Sequence, residues 1–208
     1  MSRPSRNTDK LLLRAGRRLL PKTGIRGLSL RKVAAEAGVN LGMFHYHFKS
    51  KRTFVRLVLQ EFYEEFFAGF TVESGGEAAP LERLGRALTS LARFARDNRE
   101  LLLAVIRGIL EGDPEAARFA KANVPRHLSI IAELVAVCQE QGSLRPMPVP
   151  SAVAFLAGGT IAPGLAFGIV EAASADRAGL GRLKAALASD EAIRARMEAA
   201  LRGLRRDP

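Results

Sequence analysis

Between Ser29 and Lys51 the chain gathers side chains that can hold a polyanion: Arg31, Lys32, His45, Tyr46, His47 and Lys51, with Ser29 and Asn40 among them. A guanidinium can take a guanine edge in bidentate fashion, so Arg31 is expected at a base, and the Met43 side chain can meet a thymine methyl. Lys51 and His47 are expected on phosphates, helped by Ser29 and Tyr46. Catalytic chemistry finds no comparable constellation. There is no phosphate loop, no CxxC pair, no HExxH and no Gly-x-Ser-x-Gly. His45 and His47 stand two apart, about 200° around a helix, so they cannot close on one metal as an i, i+4 pair does. No cofactor or metal is expected, and an enzyme built on the C-terminal body is the weakest of the readings considered.

Two short helices and a tight turn would position these groups. Ser29 can accept from the free amides of a first turn, and Val33, Ala34 and Ala37 then form one apolar stripe. Gly38 can take positive φ and end that helix, Val39 fills the corner, and Asn40 can cap the next helix. In that second helix Phe44 and Phe48 share one face, four residues apart, which turns Leu41, Gly42, His45 and Tyr46 toward other faces. The pattern is a helix-turn-helix. Ser29, Arg31, Lys32, Asn40, Leu41, Gly42, Met43, His45, Tyr46, His47 and Lys51 are its expected DNA-facing set.

Charge agrees with that placement. The chain of 208 residues carries a net +11. Residues 1 to 52 hold 13 lysines and arginines against Asp9 and Glu36, so the whole excess lies there and the rest balances to zero. Such an asymmetry points to a polyanionic partner for one part of the chain alone. Cys138 is the only cysteine, which excludes an internal disulfide, suits a reducing cytoplasm and reads as a small buried hydrophobe. The apolar run Leu11–Leu13 is too short for a signal-peptide core and is followed by Arg14, Arg17 and Arg18.

Residues Thr8 to about Phe66 resemble the tetracycline-repressor (TetR) family of bacterial transcription regulators. Gly24, Ser29, Ala37-Gly38-Val39, His47, Phe48 and Lys51 occupy the family's spaced positions, whereas His45 stands where a Tyr is usual, and Leu41, Gly42 and Met43 lack hydrogen-bonding side chains. The resemblance implies an all-α protein. Its parts would be an N-terminal three-helix DNA-binding domain over 7–52 and a larger helical ligand-binding and dimerisation domain over 53–208. It also implies a homodimeric repressor on a palindromic double-stranded DNA operator, released by a small effector. A fourth helix would link the two parts.

The remaining pattern is helical throughout. Leu12, Ala15, Gly16, Leu19 and Leu20 keep helical spacing after a cap at Asn7 or Thr8, and Pro21 is expected to end or bend that helix. Arg3 and Arg6 precede it on an N-terminal arm. Ser50 can cap a helix of about twenty residues carrying Phe54, Val58, Phe62, Phe66 and Phe70, with a loop near 72–80. Further helical segments are expected at about 80–97, 99–112, 114–141, 150–174 and 189–206, with a loop around 176–188. Residues 146–170 bear no charge, which raises a membrane-tethered DNA binder as an alternative, but Pro148, Pro150, Pro163 and several glycines interrupt the run. Gly164 and Gly168 share a face and let another helix approach. In the resembled family the last two helices, here 150–174 and 189–206, form the dimer bundle. The resemblance also implies a ligand cavity in the body, with Phe66, Phe70, Phe94, Arg107, Phe119 and His127 as candidates. The Phe-rich composition there favours a hydrophobic or amphipathic effector.

Overall fold

The computed structural model describes residues 7–174 and 177–206, which places the arm with Arg3 and Arg6 outside the described residues. Eleven helices are described: α1 (Thr8–Gly27), α2 (Leu30–Glu36), α3 (Leu41–Phe48), α4 (Lys51–Ser74), α5 (Pro80–Asp97), α6 (Arg99–Leu110), α7 (Pro114–Glu140), α8 (Val149–Thr160), α9 (Ala162–Ala173), α10 (Arg177–Ala188) and α11 (Asp190–Leu204). Among the described residues there is no strand, only an isolated bridge between Leu144 and Arg205. The chain is all-α, as its periodicity requires.

The helices form two compact units. One takes residues up to Glu65 and Glu100–Asn123; the other takes Phe66–Arg99 and Val124 onward. A boundary at 52/53 would cut the first turn of α4, a continuous helix of 24 residues that serves both units in turn.

The first unit is built on an aromatic centre. Phe44, Phe48 and Phe54 are buried, with ring centroids 4.9 to 5.5 Å apart, and Leu12, Ala15, Leu20, Val33, Val58, Leu101 and Val105 surround them. Gly16 on α1 lies so near α4 that a Cβ there would come within 2.8 Å of Phe54 and Val58 side-chain atoms. Polar ties join α4 to α7 in the same unit. The Arg52 Nε donates to Glu115 at 3.0 Å, Gln60 and Asn123 exchange two bonds of 3.1 Å, and the Tyr63 hydroxyl donates to the Asn123 carbonyl at 2.6 Å. Asp113 caps α7 by accepting from the Glu115 and Ala116 amides.

Helix α1 runs through Pro21 instead of ending there. The break falls three residues on at Gly24, whose φ of 69° and ψ of 173° only glycine adopts readily. Pro21 costs one backbone bond at a half-buried position, while the buried Leu20 and Ile25 on either side keep the segment in the core.

In the second unit α11 lies against α5 and α8, and α10 against α9. Two arginines are held by short hydrogen bonds there. Arg96 binds Asp97, Asp190 and the Ala188 carbonyl, and Arg196 donates to the Gly159 and Leu187 carbonyls. Three expectations need correction. The stretch 150–174 is two helices that break at Ile161, because Pro163 occupies the first turn of α9. The segment around 176–188, expected as a loop, contains α10: Leu180, Leu183 and Leu187 recur on one side of it, and that burial outweighs the cost of Gly179 and Gly181. Gly164 faces the α5 backbone of its own chain, where a Cβ would meet Ala95 and Arg96 atoms at 3.5 Å, an ordinary van der Waals distance, so its helix neighbour is intrachain and does not itself require glycine. Cys138 is fully buried, and burial raises its thiol pKa.

Candidate nucleic-acid interface

Ser29 has extended backbone angles and its Oγ accepts from the Lys32 amide at 3.5 Å, opening α2. Arg31 and Lys32 then fall on the exposed side of the first turn, opposite buried Val33 and Ala34. Arg31 makes no side-chain hydrogen bond among the described residues, which leaves its guanidinium available. Gly38 takes φ 68° with nothing within 4 Å of a would-be Cβ. Its requirement is therefore conformational, and the Val39 amide that follows bonds back to the Ala34 carbonyl at 3.0 Å. Asn40 caps α3 through Oδ1, 3.0 Å from the Met43 amide.

Helix α3 commits one face to the aromatic core through Phe44 and Phe48. Gly42, His45 and Tyr46 are exposed, Tyr46 to 68%, while Leu41, Met43 and His47 are half-buried. Leu41 packs in part against the unit's core, which limits how far it can reach outward. A Cβ at Gly42 would lie 3.2 Å from the Asn40 cap oxygen. The missing side chain thus preserves the cap and keeps the start of the helix bare for close approach of another backbone.

The two expected phosphate ligands are engaged or enclosed. The Lys51 ammonium donates to the Arg26 carbonyl at 2.8 Å, and partial burial lowers its pKa against the opposing pull of Asp113. It lies in a hollow of about 370 Å³ with Arg26, Arg52, Val55, Asp113 and Glu115. To grip a phosphate, Lys51 must exchange the carbonyl for it. The same hollow lies beside the first turn of α4, where the helix dipole favours an anion, while Ser50 caps the Thr53 amide and Asp113 and Glu115 share the wall. The His47 Nε2 is enclosed without a hydrogen-bond partner, its ring edge-on to Tyr46 at 5.1 Å, so contact through that nitrogen requires the ring to turn.

One cation on this face escaped the sequence reading. Lys49 is exposed and ends α3 with φ 55°, in the left-handed region unusual for a residue bearing a Cβ. Its charge was visible in the sequence, but the backbone conformation that sets its direction was not.

The six candidate effector residues are divided between the two units. In the second unit Phe66 stacks on Phe94 at 4.2 Å and meets Phe70 at 5.4 Å, while the ring of His127 stands edge-on to Phe66 and Phe70 at 5.8 and 6.2 Å. Burial of His127 lowers its pKa to about 4, so its ring is neutral at pH 7. Arg107 and Phe119 belong to the first unit. Arg107 is exposed, and Phe119 packs on Tyr63 at 6.2 Å.

Residues 12–58 match the family described as "Bacterial regulatory proteins, tetR family". Over 83 residues the chain is 31% identical to the HTH-type transcriptional repressor KstR2 of Mycolicibacterium smegmatis, a match spanning 40% of each chain. Among solved structures, the ketosteroid transcriptional regulator KstR2 of Mycobacterium tuberculosis superposes with a TM-score of 0.71 at 19% identity, covering 99% of this chain and 98% of that one. The transcriptional regulator FadR from Bacillus subtilis, in complex with stearoyl-CoA, does so with a TM-score of 0.70 at 14% identity, over 93% and 95%. These two likenesses concern the fold.

Proposed function

We propose that the chain, whose residues 12–58 match the tetR family of bacterial regulatory proteins, is a cytoplasmic, homodimeric repressor that binds a palindromic operator and is released by a hydrophobic or amphipathic effector. The observation that carries this reading is the division of α3. Phe44 and Phe48 anchor one face, and the opposite face is bare at Gly42, exposed at His45 and Tyr46, and flanked by free Arg31 and Lys32, within a segment that holds all of the chain's excess charge. Arg31 reads a base, the Met43 methyl meets thymine, and Lys51, His47, Tyr46 and Ser29 hold the DNA backbone, with Lys32, Asn40, Leu41, Gly42 and His45 completing the contact surface.

Residues 7–52 serve as the DNA-binding domain and 53–208 as the ligand-binding and dimerisation body. Dimerisation through 150–174 and 189–206 is supported by Phe155, Ile169 and Val170, which leave large apolar side chains 43 to 60% exposed on α8 and α9. Two-fold symmetry would set two α3 helices on successive major grooves about 34 to 36 Å apart. The effector site rests on Phe66, Phe70, Phe94 and His127, an apolar cluster whose histidine offers a neutral imidazole. The descriptions of the two regulators above, one of ketosteroids and one holding stearoyl-CoA, suit an apolar ligand. Catalysis is no part of this reading.

A membrane tether is the lesser alternative. The apolar stretch Val149–Glu171 is long enough to span a bilayer, with mean hydropathy 1.9. It is bent at Ile161, however, and buries Ala152, Leu156, Thr160 and Phe167 in a unit where α8 packs on α5 and α11. Selection from a random duplex library tests the main reading. Recovery of a two-fold symmetric site bound by two chains supports it, and an unsymmetric pool bound by single chains would overturn the homodimer.

A further inference from the structure

A groove in the second unit contains none of the residues assigned to the effector, and its α11 wall lies in the stretch 189–206 proposed for dimerisation. It is an open cleft of about 820 Å³ between α5 and α11, floored by Leu81, Met197 and Leu201, a volume in the range of small-molecule sites. Its walls carry Arg86, Arg93, Arg194, Arg202 and Arg205 against Glu73, Glu82 and Glu198. On α11, Arg194, Glu198 and Arg202 follow one another at i, i+4 spacing and are exposed, so they read as a solvated charged face. Arg86 and Arg93 differ.

Both of these α5 arginines have a buried Nε with no hydrogen-bond partner. Each guanidinium is held elsewhere only by a long contact, Arg86 to the Gly75 carbonyl at 3.5 Å and Arg93 to Asp190 at 3.4 Å. In the same unit Arg83, Arg96 and Arg196 each hold an acceptor at 2.8 Å or closer. A buried donor left unmade is costly, and a guanidinium with free capacity on the wall of a groove is suited to a carboxylate or phosphate oxygen. Seven residues separate the two, about 10 Å along one side of α5, a span that two arginine side chains can close on one headgroup.

We propose that the α5–α11 groove binds an anionic amphiphile, with Arg86 and Arg93 taking a carboxylate or phosphate headgroup and Leu81, Met197 and Leu201 taking an alkyl chain. This site is separate from the aromatic cluster proposed for the effector. The full-length chain is to be titrated calorimetrically with decanoate, with decanol and inorganic phosphate as controls. Decanoate binds at one site that survives Phe66→Ala, and the double variant Arg86→Gln, Arg93→Gln weakens it at least tenfold. Glu82→Trp, on the α5 wall, weakens it too. That result is telling because removal of a carboxylate would by charge alone favour the anion, so the loss reports a blocked groove in a variant changed only at an exposed position. Failure of decanoate to bind, equal binding by decanol, equal competition by inorganic phosphate, or unchanged affinity in the double variant would each overturn the proposal. DNA affinity, measured on the same variants, reports on the proposed regulator function independently of these outcomes.

Discussion

The two units solve opposite problems with similar helices. In the first, aromatic side chains meet centre to centre and the α4–α7 polar groups have partners: Glu115, only 5% exposed, is held by Arg52 and Arg118, and Asn123 is held by Gln60 and Tyr63. That architecture fixes a platform. The second unit also has well-bonded arginines, yet it places a neutral histidine among aromatic rings and leaves two arginine Nε groups unpartnered beside a wide groove. The two guanidinium groups keep capacity for a ligand. A rigid reader joined by one continuous helix to a body with unmet polar capacity is a workable division for a regulator whose DNA grip must answer to a small molecule.

The comparison breaks most directly at Phe44. Its ring is fully buried and touches Phe48 and Phe54, so Phe44→Ala should destabilise the protein by about 3 to 5 kcal/mol. Chemical denaturation measures that loss, and DNA binding should disappear with it. A loss under about 1 kcal/mol would mean that the first unit is less tightly determined than its core suggests.

A pH titration of stability sharpens the second unit. The folded pKa of His127, about 4, lies below its ordinary value of 6.5, so the unfolded chain binds the proton first as pH falls. The histidine's penalty is absent above about pH 6.5, grows as pH falls toward 4 and then levels off, and within that window stability drops by at most about 1.4 kcal/mol per pH unit. His127→Phe should flatten that window of the stability profile relative to the wild type. An identical slope in both proteins would show that His127 does not titrate as buried.

At the DNA face, Arg31→Ala should cost about 1 to 3 kcal/mol on the selected site and much less on random duplex, whereas Lys51→Ala should weaken both alike. Anisotropy titrations distinguish these patterns. Equal losses for Arg31→Ala on both duplexes would remove its assignment to a base. The smallest effect is expected at Arg18, whose exposed pair with Glu36 should change stability by no more than about 1 kcal/mol in Arg18→Ala.

The same contrast governs what could be read from the chain. The helix-turn-helix was legible because local chemistry determines it: Ser29 and Asn40 cap, Gly38 supplies the positive φ, and Phe44 and Phe48 share a face four residues apart. The body was legible as helices but less so as a site. Phe66, Phe70, Phe94 and His127 do converge, yet Arg107 and Phe119 lie in the other unit, because a periodic pattern gives a helix face without naming the helix that covers it. Gly164 shows the same limit, since its spacing suggested a helix neighbour and tertiary packing decided that α5 is that neighbour, at ordinary contact distance. Helix α10 was hidden by Gly179 and Gly181, whose low propensity was outweighed by the burial of Leu180. The unpartnered Arg86 and Arg93 have no sequence signature at all, as pairing is a property of the assembled fold.

Titrating the full-length chain into the selected operator and into a scrambled duplex of the same composition, across a series of salt concentrations, tests the central claim most directly. The account predicts that the operator binds at least a thousandfold more tightly and that both affinities fall steeply with salt, because phosphate contacts are common to both and base contacts are not. Equal affinities for the two duplexes, or an operator affinity indifferent to salt, would contradict it.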